Sequence, residues 1–437
     1  MKRILKRKNN KVRTILIVFA LVYSLFQVSA RNVYVTATGG AASGDGTPTA
    51  PVSFSQFLTI LSTHTVGTDA TLNVYFQGGT YIFTAPLSFN TTTTNIAGLT
   101  TTFDRISDSD IVIFSGNNAN HQIINRNSNS ASSSSLFTVT FRNIIFENFT
   151  KSSVNDASTY RTESFARAGD PGTYSIINFD RVTIRNCNTD APLFYMYSTG
   201  SRINVSNSSI YNNNRGSNSI VHFRYSSNSD YSRFYNNTFS SNTVASCVYI
   251  QENTANYTGF FNNTFYNTGD IGLSYNNSNY FFINNIVAGT STYSLAGTSI
   301  VAYCNTQPYQ GNLYYNATGN SGGVDITSAF NQQFNKTLTT GTDPGTQVHE
   351  ILDRTNTNHV IFRKGLTATQ LRSYTKVLLG VDQLGNSRSP SDNLSLGTID
   401  DWTYVIRETV KIALSYNSAE NIPPRDTTIN LLNYIVS

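Results

Sequence analysis

A nine-residue pattern of apolar and polar positions recurs along the middle of the chain. Six segments fall into register: FRNIIFENF from Phe141, FDRVTIRNC from Phe179, VSNSSIYNN from Val205, FYNNTFSSN from Phe234, FFNNTFYNT from Phe260 and FINNIVAGT from Phe282. Their starts lie 38, 26, 29, 26 and 22 residues apart. A spacing of 22 to 29 residues corresponds to one coil of a solenoid, and the 38 accommodates an insertion, the polar stretch Lys151 to Gly172. The first column is Phe in every segment but one, where it is Val205, and the sixth runs Phe146, Ile184, Ile210, Phe239, Phe265, Val287. In a straight strand positions one and six face opposite sides, because side chains alternate with period two. The chain must therefore bend between them if both are to reach one core.

The third column supplies the bend with Asn143, Arg181, Asn207, Asn236, Asn262 and Asn284, since Asn tolerates the left-handed conformation that turns a strand without a loop. A second column, Asn148, Asn186, Asn212, Ser241, Asn267 and Gly289, closes the following strand in the same way. Asparagines stacked at a turn can also hydrogen-bond from coil to coil, so they are read as structural, not as sugar ligands. The pattern predicts an all-β, parallel β-helix solenoid with regular coils over about residues 136–316, inside a domain spanning 31–400.

Outside the regular coils, Leu72 to Phe83 reads as a strand, a Gly-Gly turn and a strand, and Ile111 to Phe114 as a buried strand. Ser53 to Leu61 predicts a short amphipathic helix capping the open end of the stack. Trp402, Ile406, Val410 and Leu414 stand at helical spacing, so residues 401–437 are expected to form a helical cap or tail.

The first thirty residues change the reading of charge. They combine a Lys/Arg-rich start, an apolar run from Ile15 to Phe26 and the ending Val28-Ser29-Ala30, the layout of a signal peptide cleaved before Arg31. The run is shorter than the roughly 20 residues of a spanning helix. The expectation is export to the medium or the cell surface, with no transmembrane anchor after cleavage. Seven of the 30 basic residues lie in this segment with no acid, leaving 23 basic against 25 acidic residues, a net −2. Net charge thus gives no reason for a nucleic-acid partner. Cys187, Cys247 and Cys304 are too sparse for a disulfide framework or a zinc site and are read as buried thiols.

With these segments in place the chain resembles the right-handed parallel β-helix repeat proteins of bacteria, related in fold to pectate lyases and chondroitinase B. The opening NVYVTATGGAASGDGTPTAPVSFSQFLTIL followed by LNVYFQGGTYIF is similar to theirs. The end, GNLYYNATGN from Gly311 and GVDQLGNSRSPSDNLSLGTID from Gly380, resembles the closing pattern of the choice-of-anchor Q type through Asp382, Gly385, Arg388 and Gly397. Thr398 replaces the final small residue, and the Ser-Pro-Ala-Ile-Asp segment before the pattern is absent. Asp382, Gly385 and Arg388 are read as a turn held by an ion pair.

Two classes of function fit such a scaffold. One is a non-catalytic adhesive or carbohydrate-interacting module, binding a polysaccharide or a surface glycan or protein through stacked rings: Tyr235 with Phe261 in one column, Tyr211 with Tyr266 in another. Tyr225, Tyr231, Tyr257, Tyr275 and Tyr280 lie in adjoining loops. The alternative is a polysaccharide lyase acting on uronic-acid glycans, which needs a group that neutralises the substrate carboxylate and a base that removes the neighbouring proton. Its candidates are Arg142, Arg181 and Arg185, then His222, Arg224 and Arg233, with Asp180, Asp190 and Glu252 as partners. No cofactor or metal is expected, except that the resemblance implies Ca2+ in the lyase case. Acids and bases do not recur in one column from coil to coil, so the binding module is the preferred reading.

Overall fold

The computed structural model describes residues 30–399 apart from 40–44, 68, 90–97, 121, 126–136, 151–163, 170–174, 190, 197–200, 224–231, 251–257, 273–279, 290–292, 295–312, 315–323, 326–333, 353–358, 360, 363–364 and 396. The amino-terminal thirty-residue segment up to Ser29, the Trp402–Leu414 stretch, Cys304 and most of the Lys151–Gly172 insertion lie outside these residues.

Both asparagine columns adopt the conformation their chemistry favours. The first has φ between 51° and 60° at Asn143, Arg181, Asn207, Asn236, Asn262 and Asn284, and the second is left-handed from Asn148 to Gly289. Each of these six coils therefore bends twice through a single residue, and the strands of the stack fall into three sheets. The first has ten strands, among them Phe137–Arg142, Ser175–Asp180, Arg202–Ser206, Ser232–Tyr235 and Thr258–Phe261. The second, also of ten, holds Ile145–Glu147, Thr183–Arg185, Ser209–Tyr211 and their equivalents, and the third has seven, including Asn214–Phe223 and Thr243–Ile250. Pairing within all three is parallel, and the register is the one the sequence columns set: Phe141 beside Phe179, Val205, Phe234, Phe260 and Phe282, then Phe146 beside Ile184, Ile210, Phe239, Phe265 and Val287. The fold is an all-β parallel β-helix.

Strand spacing near 4.8 Å is close to the stacking distance of aromatic rings, so a Phe repeated in one column stacks on itself. Phe141 lies 5.2 Å from Phe179, Phe234 4.9 Å from Phe260 and Phe239 4.9 Å from Phe265, with ring planes within 17° of parallel. Where Val205 interrupts the first column, Phe194 of the third sheet fills the gap, touching Phe179 at 5.3 Å and Phe234 at 6.2 Å. Each buried Phe contributes roughly 1.5–3 kcal/mol. At the amino-terminal end α1 (Phe54–Thr63) closes the stack. The Ser53 hydroxyl accepts from the Gln56 amide, and Phe57 seats edge-on against Phe76 at 5.4 Å.

In the left-handed column the Asn236 Nδ2 donates to the Asn207 Oδ1 at 3.0 Å and the Asn284 Nδ2 to the Asn262 Oδ1 at 3.3 Å, the coil-to-coil bonding expected of it, and a second ladder runs through the interior. The left-handed residue turns the chain, and the next residue points inward. Asn237, Asn263 and Asn285 are fully buried. The Asn263 Oδ1 accepts from the Asn237 amide at 3.0 Å, while its Nδ2 donates to Phe234 O and to the Asn285 Oδ1. Asn213 and Asn242 repeat the arrangement after the second turn, continuing to Thr268. Cys187 and Cys247 are buried free thiols.

A departure from expectation concerns the carboxy-terminal part. After a hairpin of Phe334–Leu338 with His349–Ile351, the chain folds back along the outside of the coils as a strap that carries α2 (Ala368–Thr375). It docks on a column of buried hydroxyls that open the second-sheet strands: Thr183, Ser209, Thr238 and Thr264. The Gln383 Nε2 donates to the Ser209 Oγ at 3.0 Å, and the Thr238 hydroxyl donates to the Gln383 Oε1 at 2.8 Å. Gly345, at φ 74°, passes so close to the turn that a Cβ there would lie 2.3 Å from Asn207 O. The Asp382 Oδ1 accepts from the amides of Leu384 and Asn386, closing a turn at Gly385, and the Arg388 guanidinium crosses to the Asn236 Oδ1 at 2.7 Å. The strap's closing pattern thus fastens to the left-handed column.

Replacing Asn263 by Ala strands the Asn237 amide and the Phe234 carbonyl in the core, at about 1–3 kcal/mol for each unpaired group. Asn263→Ala is expected to lower the thermal unfolding midpoint by several degrees, whereas Asn186→Gly, which keeps the left-handed turn at an exposed position, leaves it nearly unchanged. Calorimetry on the two variants distinguishes ladder from turn.

Candidate functional site

Outward side chains of the first sheet form two columns, because every second residue faces solvent. One column runs Arg142, Asp180, Ser206, Tyr235, Phe261, and the other Thr140, Asn178, Asn204, Arg233. All of them except Phe261 line a cleft of about 270 Å³, with Val377 of the strap at its edge. Its polar groups are preorganised. The Asn178 Nδ2 donates to the Thr140 hydroxyl, the Asn204 Nδ2 to the Asn178 Oδ1, and the Arg233 amide to the Asn204 Oδ1. Asp180 sits at the centre, accepting from the Ser206 Oγ at 2.8 Å and the Asn207 Nδ2 at 2.9 Å, with the Arg142 Nε at 3.6 Å. Burial raises the Tyr235 phenol above its ordinary range, although Ser206 hydrogen-bonds to it.

The six basic candidates do not converge. Arg142 projects from the first sheet into the cleft, Arg181 occupies an exposed left-handed turn and Arg185 belongs to the second sheet, around the corner. The bend between strands, not sequence distance, separates them. Arg185 is committed to its own column: its Nε and Nη2 both donate to one oxygen of Glu147, at 2.9 and 2.6 Å, and its Nη1 to the Tyr211 hydroxyl at 3.3 Å. The second cluster also divides. His222 lies on the third sheet between Tyr195 at 5.0 Å and Tyr249 at 4.9 Å, whereas Arg233 lines the cleft on the first sheet. Arg224, Asp190 and Glu252 lie outside the described residues, as do Tyr225, Tyr231, Tyr257 and Tyr275. Among the described residues no three His, Cys, Asp or Glu side chains are grouped to hold a metal ion.

The expected aromatic face is corrected as well. Tyr235 and Phe261 do face outward in one column, but Phe261 is fully buried under α2, in a small second core with Leu366, Leu371, Leu379, Leu394 and Phe281. Ser240 separates Tyr211 from Tyr266 in the other column, and Tyr266 packs at a tilt against His349 of the strap, 4.7 Å between ring centres. Of the four rings, Tyr235 alone lines the cleft. The strap has taken the apolar part of the surface and left the polar part open.

His349 carries a measurable signature of this docking. Its Nε2 is 2.8 Å from the Ser240 hydroxyl and its Nδ1 3.1 Å from the Asn335 carbonyl, consistent with a neutral ring that donates at Nδ1 and accepts at Nε2. Burial pushes its pKa from the ordinary 6.5 down to about 4, against the opposing pull of the Asn335 and Thr337 carbonyls. A base with a lowered folded-state pKa binds more protons when unfolded, so stability falls as pH drops from about 6.5 to about 4 and changes no further below that. The full difference is on the order of 3 kcal/mol. The expected outcome is that strap cleavage in limited proteolysis accelerates at pH 4.5 relative to pH 7 in the wild type, and that His349→Gln flattens this difference.

No family model matches the chain, and no curated protein matches it. Among solved structures, XylC in complex with xylose is similar over 85% of this chain and 98% of that chain, at 9% sequence identity and a TM-score of 0.29. The parallel β-helix of the present chain stands on its own strand order and register.

Proposed function

We propose that the chain is an exported β-helix protein that binds a carbohydrate without transforming it, through the cleft on the first sheet. The observation that carries this reading is the composition of the cleft: fixed amides, a carboxylate beside Arg142, the Arg233 side chain and one half-buried phenol, set along one face in steps of about 4.8 Å. Planar polar groups of this kind pair with the vicinal hydroxyls of a sugar, Tyr235 offers a ring edge or face, and Arg142 and Arg233 favour an acidic polymer. Retention at the cell surface, as an adhesive module of the choice-of-anchor Q kind, is part of the same proposal, since the leader fits export and Asp382, Gly385, Arg388 and Gly397 follow that closing pattern.

Lyase chemistry has one observation in its favour: Arg142 and Arg233 share the cleft and could neutralise a uronate. The base is the weak point. Asp180 is the acid of the cleft, and its carboxylate already receives hydrogen bonds from Ser206 and Asn207 beside the Arg142 guanidinium. Both bonds fall on its Oδ1, which is thereby committed to the wall of the cleft and not to a substrate proton.

Affinity electrophoresis of the purified chain against a panel of acidic and neutral polysaccharides, with and without Ca2+, tests this. The chain is expected to be retarded by an acidic polymer, with Arg142→Ala weakening retention by about tenfold, in line with the roughly 1.5 kcal/mol of a charged hydrogen bond. A rise in near-ultraviolet absorbance from an unsaturated product, lost in Arg142→Ala, would establish the lyase instead, and retention by none of the polymers would sink both.

A further inference from the structure

Arg215 is an unusual residue in this fold because it lies within the apolar interior. It is fully buried at the start of the third-sheet strand Asn214–Phe223, immediately after the second turn. A bulge puts it there: Asn214 pairs with Thr243 and Gly216 with Val244, so Arg215 has no residue opposite it, and Gly216 takes the left-handed conformation that re-aims the chain. Among the described residues its Nε, Nη1 and Nη2 find no hydrogen-bond acceptor. A buried hydroxyl on the neighbouring coil is also without a partner among the described residues, that of Thr189, whose amide donates to Asn214 O.

A guanidinium in this position needs acceptors for its five N–H groups and a counter-charge. The cost of leaving a charge buried and unpaired is several kcal/mol, far above that of an ordinary unsatisfied group. Cys187 is the titratable side chain that interacts with it, and it does not serve as the counterion. Its thiol donates to Arg185 O at 3.3 Å, and burial pushes its pKa up to about 11, so it is protonated at neutral pH. Burial lowers the Arg215 guanidinium to about 10, which still leaves it charged. The demand is therefore for one compact acceptor carrying one negative charge.

We propose that Arg215 anchors an interior site for a small monovalent anion of the halide class, with the Thr189 hydroxyl as an additional donor. Such an ion is enclosed as the coils stack and acts as an integral part of the core.

The deciding experiment is diffraction from the full chain crystallised in sodium bromide, read at the bromine absorption edge. An anomalous peak within hydrogen-bond distance of the Arg215 guanidinium is expected. A guanidinium bonded to ordered water alone, with no peak, overturns the proposal. A second measurement needs no crystal. With chloride exchanged for gluconate at constant ionic strength, the unfolding midpoint of the wild type should rise with chloride while that of Arg215→Met stays flat, and equal slopes in the two proteins would count against the site. If Arg215→Met does not fold, the bromide peak still decides.

Discussion

Each of the six regular coils turns twice through a single residue in the left-handed conformation, and the rest of the structure follows from those two turns. A bend confined to one residue lets the apolar residues on either side, such as Phe234 and Phe239, enter the same core. It also leaves no slack for a loop, so the residue after the bend is forced inward. That residue is Ile144, Val182 and Ser208 in the first three regular coils, and Asn237, Asn263 and Asn285 in the next three, where the side chains bond to the neighbouring coils. The polar ladder in the core is the geometrical consequence of a one-residue corner.

The outer side of the same corner is where the strap lies. Hydroxyls at the head of the second-sheet strands and amides in the left-handed column offer donors and acceptors at coil spacing. Gln347, Gln383 and the backbone around Gly397 answer them in turn. By burying Phe261 and setting His349 against the half-buried Tyr266 the strap takes up rings that a binding surface would otherwise display, and the polar cleft beside Val377 remains. The candidate site is thus defined as much by what covers the neighbouring face as by the residues in it.

The parts of this arrangement written locally were legible from the residues alone. Left-handed Asn columns and inward Phe columns depend on backbone preference and alternation, both of which act within a few positions, and the coil register follows from them. The column that pairs Arg142 with Asp180 and Glu147 with Arg185 was visible for the same reason. What lies on a face is a different matter. Alternation says that Phe261 points outward, but not that α2, more than a hundred residues later, will cover it. The hydroxyls Thr183, Ser209, Thr238 and Thr264 occupied one column of the repeat, yet nothing in the repeat itself demanded a partner for them. Arg215 escaped notice because a bulge, and not the period, turns it inward.

The strap also changes what kind of object the stack is. Coils that touch only their neighbours behave as a one-dimensional chain and can fray from either end, one layer at a time. Here one segment reaches Arg105 through Asp343, Thr183 through Gln347, and Asn284 through Leu366, binding layers that are never adjacent to each other. Losing a middle coil then requires releasing the strap over its whole length, so layers that would melt separately are obliged to melt together, and a protease meets a closed cylinder with its seam sewn shut.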